Sequence, residues 1–167
     1  MFSLLREEAG RFILTAKGPS RGVSGSVSTR TEAEADVDAE VARSILAGRN
    51  DGVAILRRLS DDAAFDALWE GVEQARAGQA LVEVGHFQNR RRRVAVTLPP
   101  GLALLVEVDQ TRFPDGRVDD EVEIEIPRPE LAAAVEAWLE ERAAAAGIET
   151  AASSSKLSRF YAALGVR

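Results

Sequence analysis

Two segments in the C-terminal half of the chain place acidic side chains at alternate positions. Glu107 and Asp109 alternate with valines, and Glu121, Glu123 and Glu125 alternate with valine and isoleucine. Alternate side chains of a β-strand point to the same face, so each segment is expected to carry carboxylates on one face and aliphatic side chains on the other. Like charges in a row repel each other unless water or a cation intervenes. The spacing therefore predicts an acidic strand face that suits a divalent metal ion.

A basic segment lies on the preceding predicted strand. Four successive arginines, Arg90–Arg93, are followed by the strand-like residues 94–97. Basic and acidic rows on neighbouring strands favour a polar surface that holds a metal ion and a polyanion together. The arginines also fit a solvated surface or a nucleic-acid patch, and in a strand two of the four must face away from the other two.

Composition limits any metal site to oxygen ligands. The chain has no cysteine and one histidine, His86, which excludes disulfides, thiolate sites and a multi-histidine zinc centre within one chain. Oxygen ligands favour Mg²⁺, Mn²⁺ or Ca²⁺ as the metal. Of the 21 basic residues two are lysines, Lys17 and Lys156. Because nearly all other basic residues are arginines, lysine at these two positions favours a role that arginine cannot fill.

Length and charge bound the class of protein. A chain of 167 residues with 46% hydrophobic residues is expected to form one domain with its own core. The formal net charge of −6 disfavours general binding to nucleic acid. We find no signal peptide and no apolar run long enough to cross a bilayer. We therefore expect a cytoplasmic protein that binds a small molecule and neither nucleic acid nor a membrane.

Hydrophobic periodicity and turn residues predict an α+β domain with mostly antiparallel strands. Strands are predicted at residues 11–17, 27–34, 53–59, 81–87, 91–98, 102–110 and 119–126. Helices are predicted from Asp36 or Asp38 to Leu46, from residues 60–62 to Gly78, from residues 127–130 to Gly147, and, capped by Ser153–Ser155, from Lys156 to Leu164. Strands with one polar and one apolar face favour a barrel or tunnel with helices packed outside it.

A series of motifs, taken in chain order, resembles one known family. The motifs are Leu5–Gly10, Leu14–Pro19, Arg30–Glu32, Val84–Arg91, Val106–Phe113, Glu121–Glu125 and Ser154–Leu157. The series resembles the CYTH superfamily, the triphosphate tunnel metalloenzymes, which includes inorganic triphosphatases, thiamine triphosphatases and class IV adenylate cyclases. The resemblance covers nearly the whole chain, and its most specific parts are the spacing from Asp109 to Glu121 and Glu123 and the late Ser-Lys pair.

The resemblance implies one domain over residues 1–167, an eight-stranded antiparallel tunnel with helices packed outside. It implies a metal-dependent triphosphatase that uses Mg²⁺ or Mn²⁺ and binds a triphosphate or polyphosphate. The implied phosphate ligands are Arg6, Lys17, Arg91 and Lys156. Arg93, for phosphate, and Glu107, for metal, lie on the same faces and are second choices. The implied metal ligands are Glu32, Asp109, Glu121 and Glu123. The expected catalytic residues are Glu121, Glu123 and Lys156.

The N-terminus departs from the family pattern. The family's Glu-x-Glu-x-Lys motif on the first strand has no counterpart, and Leu4 and Asn89 stand where the family has basic residues. Three explanations compete: a misassigned start codon, a short chain whose sheet is completed by another chain or a homodimer partner, or a protein that kept anion binding and lost catalysis.

Four functions are compatible with these alternatives. The first is a triphosphate phosphohydrolase. The second is a non-catalytic binding module for polyphosphate or nucleotide triphosphate. The others are a class IV adenylate cyclase-like enzyme and a scaffold whose charged strands contact other proteins.

Overall fold

The computed structural model describes residues 2–19, 21–24, 27–151 and 154–166, which confirm the predicted α+β class. The strands are β1 (Phe2–Glu8), β2 (Arg11–Lys17), β3 (Arg21–Ser24), β4 (Val27–Thr29), β5 (Glu32–Val37), β6 (Gln88–Leu98), β7 (Leu102–Arg112) and β8 (Val118–Ile124). The helices are α1 (Ala39–Leu46), α2 (Gly52–Leu59), α3 (Asp66–Arg76), α4 (Ala132–Ala145) and α5 (Lys156–Ala163).

The described strands form two three-stranded sheets and one pair. The strand orders are β1-β2-β5 and β6-β7-β8, both antiparallel and both open, and β3 pairs with β4. The chain divides into two compact units, an N-terminal unit of residues 1–23 and 28–84 and a C-terminal unit of residues 24–27 and 85–167. The first three-stranded sheet belongs to the N-terminal unit and the second to the C-terminal unit.

In the N-terminal unit, strand alternation gives the sheet one apolar and one charged face. Leu14 and Ala16 of β2 and Ala33 of β5 are buried together with Leu56 of α2 and Trp69 of α3. Helices therefore cover the apolar face of this sheet. The opposite face carries Arg6, Thr15, Lys17, Glu32 and Glu34.

The sheet of the C-terminal unit shows the same division. Leu98 of β6 and Leu104 of β7 are buried with Val135 of α4, and Ile124 and Trp138 pack against them. Helix α4, which lies within the helix predicted from residues 127–130 to Gly147, thus covers the apolar face. The other face carries Arg91, Arg93, Glu107, Asp109, Glu121 and Glu123.

The predicted strand at residues 53–59 is wrong, because this segment is helix α2. The Asp51 carboxylate accepts hydrogen bonds from the backbone N–H groups of Val53 at 2.9 Å and Ala54 at 3.3 Å, and so caps the first turn. Val53 and Leu56 are both buried and lie three residues apart, which fits one face of a helix. Apolar content in so short a run does not distinguish a strand from a helix.

The predicted strand at residues 81–87 is also wrong. These residues have no regular secondary structure, and Val82 is 77% exposed. Gly85 has a φ of +141°, and a Cβ atom there would lie 3.2 Å from the Phe160 ring, so the backbone passes close to α5 instead of extending as a strand. The segment predicted as one strand over residues 27–34 is divided between β4 and β5.

The helix starts agree with the predicted caps. The Asp38 carboxylate accepts a hydrogen bond from the Val41 N–H at 2.8 Å, and the Ser155 hydroxyl accepts one from the Ser158 N–H at 3.1 Å. Ser153, also predicted as part of the last cap, lies outside the described residues. In the described part of the chain, no helix has the length and apolar content needed to cross a membrane.

The two leucines of α2 allow a matched test of the N-terminal core. Leu56 is 0% exposed and Leu59 is 51% exposed. Leu56→Ala should lower the free energy of unfolding by about 2–5 kcal/mol, because it leaves a cavity. Leu59→Ala, the control in the same helix, should change it by less than about 0.5 kcal/mol. Urea unfolding followed by circular dichroism measures both, and equal effects would contradict this core.

Candidate metal and phosphate site

The charged face of the C-terminal sheet is built by the register of its three strands. Arg91 of β6 lies opposite Asp109 of β7, and Asp109 lies opposite Glu121 of β8. The next row on the same face consists of Arg93, Glu107 and Glu123. Each row therefore combines one arginine with two carboxylates.

Asp109 lies at the centre of this face with its side chain 0% exposed. Its carboxylate accepts two hydrogen bonds from Arg91, Nε to Oδ1 and Nη2 to Oδ2, both at 2.7 Å. The Lys156 Nζ donates a third hydrogen bond to Oδ2 at 2.5 Å. A bidentate arginine and an ammonium together compensate this carboxylate for the hydration that it loses on burial.

These contacts fix the charge states of the central pair. Burial tends to raise the pKa of Asp109, since it removes water from the carboxylate. The hydrogen bonds from Arg91 and Lys156 outweigh burial and hold the pKa of Asp109 well below its usual range. The bond to Asp109 in turn raises the pKa of Arg91, against the opposing effect of burial. Asp109 is therefore an anion and Arg91 a cation at physiological pH.

Arg91 also links Asp109 to the neighbouring carboxylates. Its Nη2 donates a hydrogen bond to Glu123 Oε2 at 2.8 Å, and its Nη1 forms an ion pair with Glu107. Arg93 Nε donates a hydrogen bond to the other oxygen of Glu107 at 2.9 Å. The charged face is thus one connected network in which cations and carboxylates alternate.

Lys156 enters the same network from helix α5. It is the first residue of the helix, directly after the Ser155 cap. Its Nζ lies 3.3 Å from Glu121 Oε2 and 3.8 Å from Glu123 Oε1, in addition to its bond with Asp109. A single ammonium therefore contacts three carboxylates that come from two strands.

These three carboxylates also form a candidate metal site. One oxygen from each of Asp109, Glu121 and Glu123 can be chosen so that all three lie within 4.8 Å of one another. Carboxylate oxygens are the ligands that Mg²⁺ and Mn²⁺ prefer, so the donor set fits these ions. A metal ion bound here would replace the ammonium and guanidinium groups that neutralise the carboxylates in the structure.

A second set of predicted site residues lies on the charged face of the N-terminal sheet. The Lys17 Nζ donates a hydrogen bond to Glu32 at 2.9 Å, and Arg30 forms an ion pair with the same carboxylate. Burial tends to raise the pKa of Glu32, but the hydrogen bonds from Lys17 and Arg30 outweigh it and lower that pKa. Arg6 Nη2 lies 3.4 Å from Glu34 Oε1.

The predicted site residues therefore occur as two clusters, each within one unit. The C-terminal unit holds Arg91, Arg93, Asp109, Glu121, Glu123 and Lys156. The N-terminal unit holds Arg6, Lys17 and Glu32. Glu125, predicted to continue the acidic row, follows the end of β8 and is exposed, and His86 is exposed as well.

The sequence left Arg159 open between the mouth of the site and a solvated helix position, and sequence reasoning did not include Asp119. Arg159 Nη2 donates a hydrogen bond to Glu121 Oε2 at 2.8 Å, and its Nε lies 3.2 Å from Asp119 Oδ2. Spacing could have found both. Arg159 comes three residues after Lys156 and so shares its side of a helix. Asp119 precedes Glu121 by two residues and so shares its strand face.

Comparison with known proteins adds no assignment, since no protein-family model matches the chain and no curated protein is significantly similar to it. The likeness to the CYTH superfamily therefore rests on the motif residues themselves.

Substitution of Asp109 tests the network through its pH dependence. A lowered carboxyl pKa contributes stability above the unfolded-state pKa of about 4, and this contribution is lost as the pH falls from there through the folded-state pKa. Asp109→Asn should lower the free energy of unfolding at neutral pH by about 3–5 kcal/mol, because it leaves Arg91 and Lys156 without their shared partner. It should also weaken the fall in stability on acidification.

The control is Asp120→Asn, an exposed position on the other face of β8. It should leave both quantities nearly unchanged in urea titrations at neutral and acidic pH. An Asp109→Asn protein as stable as the wild type at neutral pH would contradict the network.

Proposed function

We propose that the protein is a divalent-metal-dependent triphosphate phosphohydrolase whose active site is the charged face of the C-terminal sheet. One observation carries the proposal: Asp109, Glu121 and Glu123 approach one another within metal-binding distance on the same face that carries Arg91 and Lys156. On a face built only to bind an anion, a close group of carboxylates would compete with that anion for the cations. A face built only to bind a metal needs the carboxylates but has no use for the cations.

The carboxylates supply the cation site of the proposed enzyme. Asp109, Glu121 and Glu123 would hold Mg²⁺ or Mn²⁺, which supplies neutralisation of phosphate charge when bound. Asp109 is the residue best fixed for this role, since its pKa keeps it ionised and its position is set from two sides.

The basic side chains supply the phosphate site. Arg91 has a planar fork that matches two phosphate oxygens, and Lys156 is a compact ammonium able to follow a single oxygen. Both are paired with carboxylates in the structure. Uptake of a metal by the carboxylates would release these cations for phosphate, so the two ligands should favour each other's binding.

The proposed reaction is attack by water on the terminal phosphorus of a triphosphate. The water oxygen forms a bond to phosphorus while the bridging P–O bond breaks, which yields orthophosphate and, from tripolyphosphate, pyrophosphate. Arg91 and Lys156 orient the terminal phosphate and stabilise charge on its oxygens. A carboxylate of the face, Glu121 or Glu123, accepts the proton from the water.

The resemblance to the triphosphate tunnel metalloenzymes supports the same function. The described strands form two open three-stranded sheets and one pair rather than the closed tunnel that the resemblance implies, and each three-stranded sheet has one charged face that carries residues of the family's motifs. Arg6, Lys17 and Glu32 keep the phosphate and metal roles that the resemblance implies.

A non-catalytic binding module for polyphosphate or nucleotide triphosphate is the second candidate. It is favoured by the complete pairing of the central carboxylate, because Asp109 already has two cationic partners without any metal. In that case Asp109, Glu121 and Glu123 would only hold the cations in place for the anion.

Phosphate release from tripolyphosphate, in Mg²⁺, Mn²⁺ or EDTA, tests the proposal. The wild type should release phosphate only with metal. Glu123→Gln should lower the rate on the order of 100-fold or more, since loss of a charged metal ligand removes several kcal/mol of transition-state stabilisation. The matched control, Glu125→Gln, makes the same charge change two residues along, outside β8, and should keep the wild-type rate.

The other outcomes separate the alternatives. If the protein binds tripolyphosphate but releases no phosphate, with or without metal, the non-catalytic binding module is the better account. Formation of cyclic AMP from ATP would favour the cyclase-like activity. A protein that neither binds tripolyphosphate nor releases phosphate from it would contradict the proposed function.

A further inference from the structure

Polar contacts of the Arg159 side chain join strand β8 to the start of helix α5. Its Nη2 donates a hydrogen bond to Glu121 Oε2 at 2.8 Å, and its Nε lies 3.2 Å from Asp119 Oδ2. Its Nη1 donates a hydrogen bond to the Ser154 carbonyl at 2.6 Å. The side chain is only 14% exposed, and its guanidinium lies 6.0 Å from the Phe113 ring centroid. The guanidinium is therefore fixed by contacts in several directions.

The contact with Ser154 matters because Ser154 lies at the start of α5. It directly precedes the Ser155 cap, and Lys156 is the first helical residue. The carbonyl that Arg159 holds is thus two residues before Lys156. Its other partner, Glu121 Oε2, is the same oxygen that lies 3.3 Å from the Lys156 Nζ. Arg159 therefore holds one group near the Lys156 backbone, the Ser154 carbonyl, and one group near the Lys156 ammonium, the Glu121 carboxylate.

We propose that Arg159 is a positioning residue, which holds the Lys156 ammonium against Asp109 and Glu121 by tying β8 to the start of α5. It acts through Lys156 and Glu121 and is not itself a ligand of phosphate or metal. An arginine suits this role because one rigid guanidinium donates hydrogen bonds to Glu121 and Ser154 while its Nε lies near Asp119, a geometry that an ammonium on a flexible stem cannot reproduce. The role in catalysis rests on the proposed function, but the position of Lys156 does not.

A purely electrostatic role for Arg159 predicts the opposite behaviour of Lys156. Arg159 and Lys156 are like charges that share one carboxylate oxygen, Glu121 Oε2. If Arg159 only competed for that oxygen, its removal would tighten the bonds of Lys156. If Arg159 positions Lys156, its removal loosens them. The sign of the change therefore decides between the two roles.

The lysine composition of the chain makes this sign measurable. Lys17 and Lys156 are the only lysines, so protein labelled with ¹⁵N at lysine Nζ gives two ammonium signals, which Lys156→Arg assigns. In Arg159→Gln, exchange of the Lys156 ammonium protons with water should accelerate by roughly tenfold or more, because charge-assisted hydrogen bonds are lost. The Lys17 signal should not change and serves as the internal reference.

Arg117→Gln is the matched control. Arg117 also approaches Asp119, at 3.5 Å, and stacks on Phe113, at 5.0 Å from the ring centroid. Its Nη2 donates a hydrogen bond to the Arg159 carbonyl at 3.2 Å, so it contacts α5 as well, but beyond the start of the helix. None of these contacts involves Glu121 or Ser154, so Lys156 exchange should stay at the wild-type rate if the link to the start of α5 is what holds Lys156. Unchanged or slower exchange in Arg159→Gln would overturn the positioning role.

A second variant and a kinetic measurement complete the test. If Arg159→Gln does not fold, Arg159→Lys keeps the positive charge but loses the planar guanidinium, so it should still accelerate exchange of the Lys156 ammonium protons. With Mn²⁺, Arg159→Gln should lower kcat/KM for tripolyphosphate by roughly tenfold or more, as is typical when a residue supporting a ligand is lost. If the wild type releases no phosphate but Lys156 exchange accelerates in Arg159→Gln, the proposed function is wrong and the positioning role stands. If the wild type releases phosphate but Lys156 exchange does not accelerate in Arg159→Gln, the positioning role is wrong and the proposed function stands.

Discussion

The buried carboxylate of Asp109 is the constraint on which the C-terminal unit depends. An isolated ionised carboxylate at 0% exposure would be strongly unfavourable, so the fold must bring cations to it. One cation, Arg91, comes from the neighbouring strand and the other, Lys156, from a helix more than forty residues later in the chain. The sheet register and the docking of α5 are therefore coupled through one carboxylate, and an error in either would leave a charge buried without a partner.

Both three-stranded sheets have unlike faces because side chains alternate along each strand. Strand alternation puts aliphatic side chains on the side that helices cover and ionised side chains on the other. On the charged side, near equality of acids and bases allows the sheet to be stable without ligand. It also makes the face responsive, since a divalent cation competes with the arginines and lysine for the carboxylates, while a polyanion competes with the carboxylates for the bases. The proposed activity uses both exchanges at once.

Much of this arrangement could be predicted from the sequence, because strand alternation is a strong local signal. The shared face of Arg91, Glu107, Asp109, Glu121 and Glu123 follows from period-two spacing and hairpin turns alone. Two aliphatic segments were assigned wrongly for different reasons: residues 53–59 became a helix through a cap by Asp51, and residues 81–87 became irregular where Gly85 passes close to Phe160. Spacing places Arg159 on the Lys156 side of α5, but its contacts depend on how α5 docks on β8, which no local pattern contains.

The most direct test of the central claim is anomalous diffraction at the manganese edge, from crystals of this chain grown with Mn²⁺ and a non-hydrolysable tripolyphosphate analogue. The account predicts a manganese peak bounded by Asp109, Glu121 and Glu123, with Arg91 and Lys156 turned from Asp109 to phosphate oxygens. It would be contradicted by crystals in which Asp109 keeps both of its ion pairs and the metal and the analogue bind elsewhere or not at all.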